Sequence, residues 1–293
     1  FNVVSLSEIN TDSQRLLWLA IFVSIAIKTP LIPFNTWLTY AHSEAPVGGS
    51  IVLAGVILKL ATYGYIRILL QFFPDASSYF APMVQTIAVI SIIYASLVTL
   101  RQTDFKKLVA YSSVAHMGVV VLGLFSNTIQ GIEGAILLSI AHGFVSPALF
   151  FLVGGVLYDR YHTRTIRYYR GLTAYIPLFS VFFFLFTIFN AAVPLSANWA
   201  GEVLCLTGIF QQNPLMALLG STGIVLSAGY SIWLYNRIAF GTWSKYVKYT
   251  VDLNRREFII LLPLFIGTLL LGVFPNIVLD TIHVSVSTLL YSS

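Results

Sequence analysis

Cysteine is almost absent. The one thiol in 293 residues, Cys205, excludes an intrachain disulfide framework, and no CxxC or Cys/His cluster offers metal-ligand spacing. Charge is scarce too: 9% of residues are Asp, Glu, Lys or Arg and 57% are hydrophobic. Soluble domains carry roughly 25% charge, so a water-soluble globule is excluded and the chain belongs in lipid. No Gly-rich phosphate loop is present, and the longest stretch between apolar runs, 237–257, is too short to hide a soluble domain. Binding of NADH by this chain is therefore excluded. No charged region, short apolar segment and small-residue cleavage site precede the first apolar run, so no signal peptide is read. A first residue Phe1 in place of Met points to a processed or incomplete start.

What the chain has in quantity is long apolar runs. Crossing a hydrocarbon core of ~30 Å takes ~20 helical residues, and eight runs qualify: 16–38, 48–70, 82–100, 107–125, 132–157, 175–211, 214–236 and 258–280. The sixth would reach ~55 Å as one straight helix at ~1.5 Å per residue, so it is either broken or two spans. Basic residues decide between these. With one crossing, one side receives Arg101, Lys106, Lys107, Arg160, Arg164, Arg167, Arg170, Arg237, Lys245, Lys248, Arg255 and Arg256, and the other only Arg15 and Arg67. Two crossings would destroy that bias, so one broken crossing is expected. The basic side is then the cytoplasm or mitochondrial matrix, with both termini on the opposite side. The net charge of +5 thus reports topology, with no need of a nucleic-acid partner.

Two cations remain inside apolar runs, Lys28 and Lys59, and one acid, Glu202, in the string SANWAGEVLCL. A charge at a helix centre costs ~2.5–3.5 kcal/mol on insertion scales, so each is a functional candidate by default. Lys28 opens KTPLIP, where Pro30 and Pro33 interrupt the helix in mid-membrane, and Pro194, Ser196, Asn198 and Gly201 repeat the device before Glu202. Interrupted helices with adjacent ionisable groups are the ion paths of inverted-repeat transporters. Each of the three charges could instead snorkel or pair to lock helix packing. His116 in SSVAHMG and His142 in SIAHGFVSP lie within the fourth and fifth runs and could relay protons laterally. Either could also simply hydrogen-bond a neighbouring helix. Pro147, five residues after His142, disturbs the same turn.

His42 and His162 fall in or beside loops and His283 lies near the C-terminus, so all three are expected at solvent or an interface. Glu44 and Glu133 sit near span ends and are expected to face water or headgroups; Cys205 reads as a small membrane hydrophobe. The stretch Thr242 to Arg256 mixes Trp243, Tyr246 and Tyr249 with basic residues, as an interfacial segment or a docking surface for a partner subunit does.

The string KTPLIPFNTWLTYAHSEAPVGGSIVLAGVILKLATYG resembles the segment KxPxxPxxxWLxxAHxEAPxxGSxxLAGxxLKxxxYG of the antiporter-like subunits of respiratory complex I. Further matches follow through DFKKLVAYSSVAHMG, QGIEGAILLSIAHGFVSPALF, GVLYDRYHTRTIRYYRGL and SIWLYNR, so the resemblance covers essentially the whole chain, and plant, algal or protist mitochondrial members look most alike. Glutamate in the sixth run sets it apart from members that usually carry lysine there. The resemblance implies an all-α polytopic fold of fourteen helices with two inverted five-helix repeats and two broken helices, of which this chain holds the equivalents of helices seven to fourteen. Residues 1–72 would then end the first repeat, 73–240 form the second, and 241–293 supply a basic loop and the last helix.

The resemblance further implies that Lys28, Lys59 and Glu202 are the lysine of broken helix seven, the lysine of helix eight and the glutamate of broken helix twelve. His116 and His142 would join them in a polar axis that moves protons. Helices one to six, with the glutamate that partners the helix-seven lysine, are not in the chain, so a further segment or partner chain is expected to supply them. The implied setting is the mitochondrial inner membrane, beside other membrane-arm subunits and lipid. NADH, FMN, iron–sulfur clusters and ubiquinone would be bound by other subunits, and this chain would hold no cofactor. Two other readings stay open: an Mrp-type cation/proton antiporter subunit, and a purely structural membrane-arm subunit.

Overall fold

A computed structural model describes residues 11–242, 244, 246, 247 and 251–291. Helices account for nearly all of it: α1 Thr11–Lys28, α2 Thr36–Glu44, α3 Val47–Leu70, α4 Pro74–Arg101, α5 Phe105–Leu124, α6 Ile129–Tyr161, α7 Pro177–Asn190, α8 Ala197–Gln212, α9 Pro214–Ala239, α10 Arg255–Val273 and α11 Asn276–Tyr291. Among the described residues there is no strand, only one isolated bridge between Asp104 and Thr165. Trp243, Lys245, Lys248 and Tyr249 of the basic, aromatic stretch lie outside the described residues.

Helix starts are written in the local sequence. Proline occupies the first turn of α4, α7 and α9, where its missing N–H costs nothing. Side chains cap several others: Asp104 accepts from Lys106 N at 2.9 Å, Thr128 from Gly131 N at 3.2 Å and Ser196 from Trp199 N at 3.3 Å. Among the described residues, six helices, α3 to α6, α9 and α10, are long and apolar enough to cross a membrane alone.

The first run is interrupted where Pro30 and Pro33 predict it. α1 stops at Lys28, and the turn before α2 is held by Trp37 Nε1 donating to Ile27 O at 2.8 Å and Ile32 N donating to Ser91 Oγ at 3.1 Å. The sixth run also breaks, and its halves α7 and α8, of 14 and 16 residues, are each only ~21–24 Å long. They lie end to end along α9. Thr173, just before α7, donates to Ala239 O at the end of α9; Phe184 packs on Tyr235; Leu206 reaches Gly220; and Gln212 adjoins the start of α9. One broken crossing is therefore what forms, through a turn in which Ala192 and Leu195 take positive φ.

The last run differs from expectation. Instead of one helix over 258–280, α10 ends at Val273 and α11 resumes after Pro275. Both segments run antiparallel to α6: Gly267 sits against Phe144, Leu271 and Val278 pack with Ala141, and His283 bonds Glu133. The cause is Pro275, which cannot donate to the α10 ladder. Gly272 allows the approach, since a Cβ there would meet Leu195 O in the α7–α8 break.

α5 and α6 form the centre, and α5 is buried along nearly its whole length. α8 packs tightly on α6 through glycine: a Cβ on Gly201 would sit 2.7 Å from Leu138 Cα, and one on Gly134 2.7 Å from Cys205 N. Gly201→Ala is expected to cost about 1–3 kcal/mol by overpacking against backbone that cannot yield. Lower assembled yield on native gels, with an unchanged yield for Gly48→Ala where nothing lies within 4 Å, is the measurement.

The described basic residues of the loops 101–107, 158–171 and 237–257 collect at one end of the bundle, where these loops are tied together. Phe105 N donates to Arg164 O at 3.0 Å, Ile166 N to Thr103 O at 2.9 Å, and Gly171 N to Phe240 O at 3.3 Å. Arg160 pairs with Glu257 at 2.6 Å, and Asp252 accepts from Leu178 N and Phe179 N at the start of α7. Arg15 and Arg67 lie at the other end, beside Tyr79 and Gln71.

Candidate functional site: a buried line of lysine, histidine and glutamate

Four of the five candidate residues come together in the middle of the bundle. α3 widens into a π turn over Leu53–Ile57, which takes carbonyls out of ordinary helical register. Lys59, just beyond, returns its Nζ to Ala54 O at 2.6 Å and places it 2.8 Å from His142 Nδ1 on α6. The rings of His142 and His116 follow at 5.7 Å between centroids. His116 Nδ1 then lies 2.8 Å from Glu202 Oε1, which α8 presents one turn after the break. His116 and Glu202 are each 2% exposed, and His142 is fully buried.

The line alternates proton donors and acceptors. When the Lys59 ammonium donates to His142 Nδ1, the imidazole carries its own proton on Nε2; transfer across the same bond gives a neutral amine and an imidazolium. The 2.8 Å contact of His116 with Glu202 can be drawn in the same way as an ion pair or as a neutral pair. Among the described residues, His142 Nε2, His116 Nε2 and Glu202 Oε2 have no hydrogen-bond partner, nor does either side-chain polar atom of the neighbouring Asn198. Buried polar atoms of this kind are the usual seats of ordered water.

Lys28 is not part of this line. It is exposed on the flank formed by α1, beside exposed Val23 and Ile27, and no carboxylate among the described residues pairs with it. Other assignments change. His42 is buried, because α2 turns the i, i+4 pair Leu38 and His42 onto α5 and α6, a spacing legible had 36–44 been read as a helix of its own. Lys106 is the second residue of α5 and 3% exposed, its Nζ on Ala45 O at 2.9 Å. Glu133 is buried and lies 2.7 Å from His283, whose side chain is 59% exposed. That pair exists because α11 continues past the unexpected break. Glu44 and His162 are exposed and Cys205 is buried, as expected. Tyr230 on α9, with no sequence signal, is fully buried and interacts electrostatically with Glu202.

The sequence model of the NADH:quinone oxidoreductase/Mrp antiporter transmembrane family matches residues 1–227. The chain belongs to that family. Among its relatives, NADH-ubiquinone oxidoreductase chain 4 of Mycosarcoma maydis is 76% identical over all 293 residues of this chain and 60% of its own length. The same-named proteins of Chondrus crispus and Marchantia polymorpha are 52% and 49% identical over 98% and 97% of this chain and 58% and 57% of their own lengths. So the Mycosarcoma protein stands above the algal and plant ones, and the chain spans about 60% of the length of these relatives. A chain of respiratory complex I from Thermus thermophilus superposes with TM-score 0.88 at 29% identity, over 96% of this chain and 60% of that one. A chain of the Mrp complex from Dietzia shares the fold alone, with TM-score 0.84 at 18% identity over 94% of this chain and 59% of that one.

Proposed function

We propose that this chain is the larger part of a proton-translocating membrane-arm subunit of respiratory complex I, coupling NADH:ubiquinone oxidoreduction to proton movement. The observation that carries it is the pair of interior hydrogen bonds, Lys59–His142 half-buried and His116–Glu202 buried, with their two imidazoles 5.7 Å apart between centroids in a family member. Intramembrane charge is expensive to keep and lines of Glu, Lys and His are proton relays. In this reading residues 1–72 close one inverted repeat and 73–240 form the second. Lys28 joins the line only when a further segment or chain covers α1 and brings it a carboxylate. Redox chemistry and its cofactors belong to other subunits. The decisive experiment is purification of the native assembly and its reconstitution in vesicles. NADH-driven quinone reduction with acidification across the membrane supports the proposal, whereas sodium-dependent transport without a quinone reductase favours an Mrp-type antiporter.

The proposed setting is the mitochondrial inner membrane with the basic end in the matrix. Single cysteines at Thr103 and Arg167 are expected to react with a membrane-impermeant thiol reagent in inside-out vesicles and to stay unlabelled in sealed mitoplasts. Labelling from the intermembrane side overturns the orientation.

A further inference from the structure

The imidazole of His42 takes no part in the line from Lys59 to Glu202, yet it stands between that line and the basic end. α2 finishes there, and the carbonyl of its next residue, Ala45, accepts from Lys106 Nζ. Beside that contact opens a cavity of about 480 Å³, lined by Ser43, Glu44, Lys106, Tyr158, Asp159 and Arg164 among others. His42 is 0% exposed, and neither Nδ1 nor Nε2 has a hydrogen-bond partner among the described residues. The ring stacks on Phe150 at 4.2 Å, a contact that an apolar ring would make without leaving two buried nitrogens unpaired.

On α6, Phe150, Ser146 and His142 follow at intervals of four and share a face. The eight residues from His142 to Phe150 amount to about 12 Å along the helix, toward the basic end. Ser146 Oγ and Ser113 Oγ lie 3.1 Å apart within that interval, both buried. His42 lies within electrostatic range of both Lys106 and His142. Lys106 and His142 thus act on it directly; Glu44, Asp159 and Arg164 line the cavity beyond, and Lys59 and His116 face His142 from α3 and α5.

We infer that His42 is the proton inlet of the line, a relay residue that takes protons from the basic-end cavity and delivers them to the Lys59–His142 pair. The inference rests on the translocation reading above. One ring nitrogen gains an N–H bond as the O–H of a hydronium ion or of the protonated Glu44 carboxyl breaks. The other nitrogen gives up its proton past the Ser146 and Ser113 hydroxyls to the deprotonated Lys59–His142 pair. The ring ends neutral, in the alternate tautomer, and no electrons change hands.

The test uses the assembled complex in sealed vesicles. His42→Phe keeps the stack on Phe150, and His42→Gln keeps a polar group that does not titrate. Both are expected to slow proton-coupled quinone reduction roughly tenfold, the low end of what a positioned proton-transfer group contributes. Acidifying the basic-end side should recover part of the rate. A normal rate in His42→Phe, or in His42→Gln alone, overturns the inference. Lys59→Met separates the two levels: if it is slow while the His42 variants are normal, the inlet fails and translocation stands; if all are normal, translocation itself fails. Should neither His42 variant assemble, Ala45→Cys with His42 intact is labelled by a bulky thiol reagent from the basic-end side. Loss of coupled turnover on labelling supports the inlet, and unchanged turnover overturns it.

Discussion

Replacing Lys59 by methionine is expected to reduce proton-coupled quinone reduction roughly tenfold or more while the complex still assembles. Methionine keeps the length and apolar stem of the lysine, so packing between α3 and α6 survives. What is lost is the cap on Ala54 O and the donor to His142 Nδ1, both at hydrogen-bond distance. Leaving such groups unpaired costs about 1–3 kcal/mol, which lowers stability without unfolding a bundle of this size. The functional cost is larger. Moving one charge through 100 mV takes ~2.3 kcal/mol, and one pKa unit is worth ~1.4 kcal/mol, so a pumping group must swing its proton affinity by more than a unit in each cycle. Methionine cannot titrate. Lys59→Arg sharpens the test, because a guanidinium keeps the charge and the hydrogen bonds but does not release its proton. If Lys59 only pairs charges, Lys59→Arg restores turnover; if it hands protons on, arginine is as inactive as methionine. Quinone reductase rate and vesicle acidification, measured on the same preparation, decide between them.

How much of this line was legible in the sequence depends on whether the signal was local. Lys59, His116, His142 and Glu202 stand out because each breaks an apolar run, and the breaks at Pro30, Pro33 and Pro194 announce themselves by chemistry within a few residues. Charge bias alone chose one broken crossing for 175–211, and α7 and α8 lying end to end along α9 agree with it. What was not legible is what depends on a neighbour. His42 sits two residues before Glu44 and reads as a loop residue until α2 is packed on α5 and Phe150 is placed over its ring. Lys106 reads as one more basic-loop cation until Asp104 caps α5 and turns it inward. Glu133 reads as interfacial because it sits near a span end, and its partner His283 stays hidden because the turn at Pro275 falls inside a run that hydropathy treats as continuous. Lys28 shows the reverse: the sequence marks it as buried charge, and the flank that would bury it is exposed here.

Glu202→Gln is expected to produce a loss of coupled turnover comparable to Lys59→Met, and for a reason separable from packing. Glutamine matches glutamate in shape and volume, and its carbonyl oxygen can still accept from His116 Nδ1 across the 2.8 Å contact. The fully buried site therefore keeps its geometry, including the close approach of Gly201 to Leu138 one residue earlier. What disappears is the exchange between a carboxylate beside an imidazolium and a carboxylic acid beside a neutral imidazole. Once the carboxylate is gone, a charged His116 has lost its counter-ion in a low-dielectric interior. The proton then has no resting place beyond His142. Glu202→Asp, which keeps a titratable carboxyl on a side chain shorter by one methylene, is expected to retain part of the activity. The spectroscopic counterpart is a protonated-carboxyl infrared band that appears during turnover of the native complex and is missing from Glu202→Gln. Normal turnover in Glu202→Gln, with no such band in either protein, would leave Glu202 as a packing partner of His116 and end the line of transfer at His142.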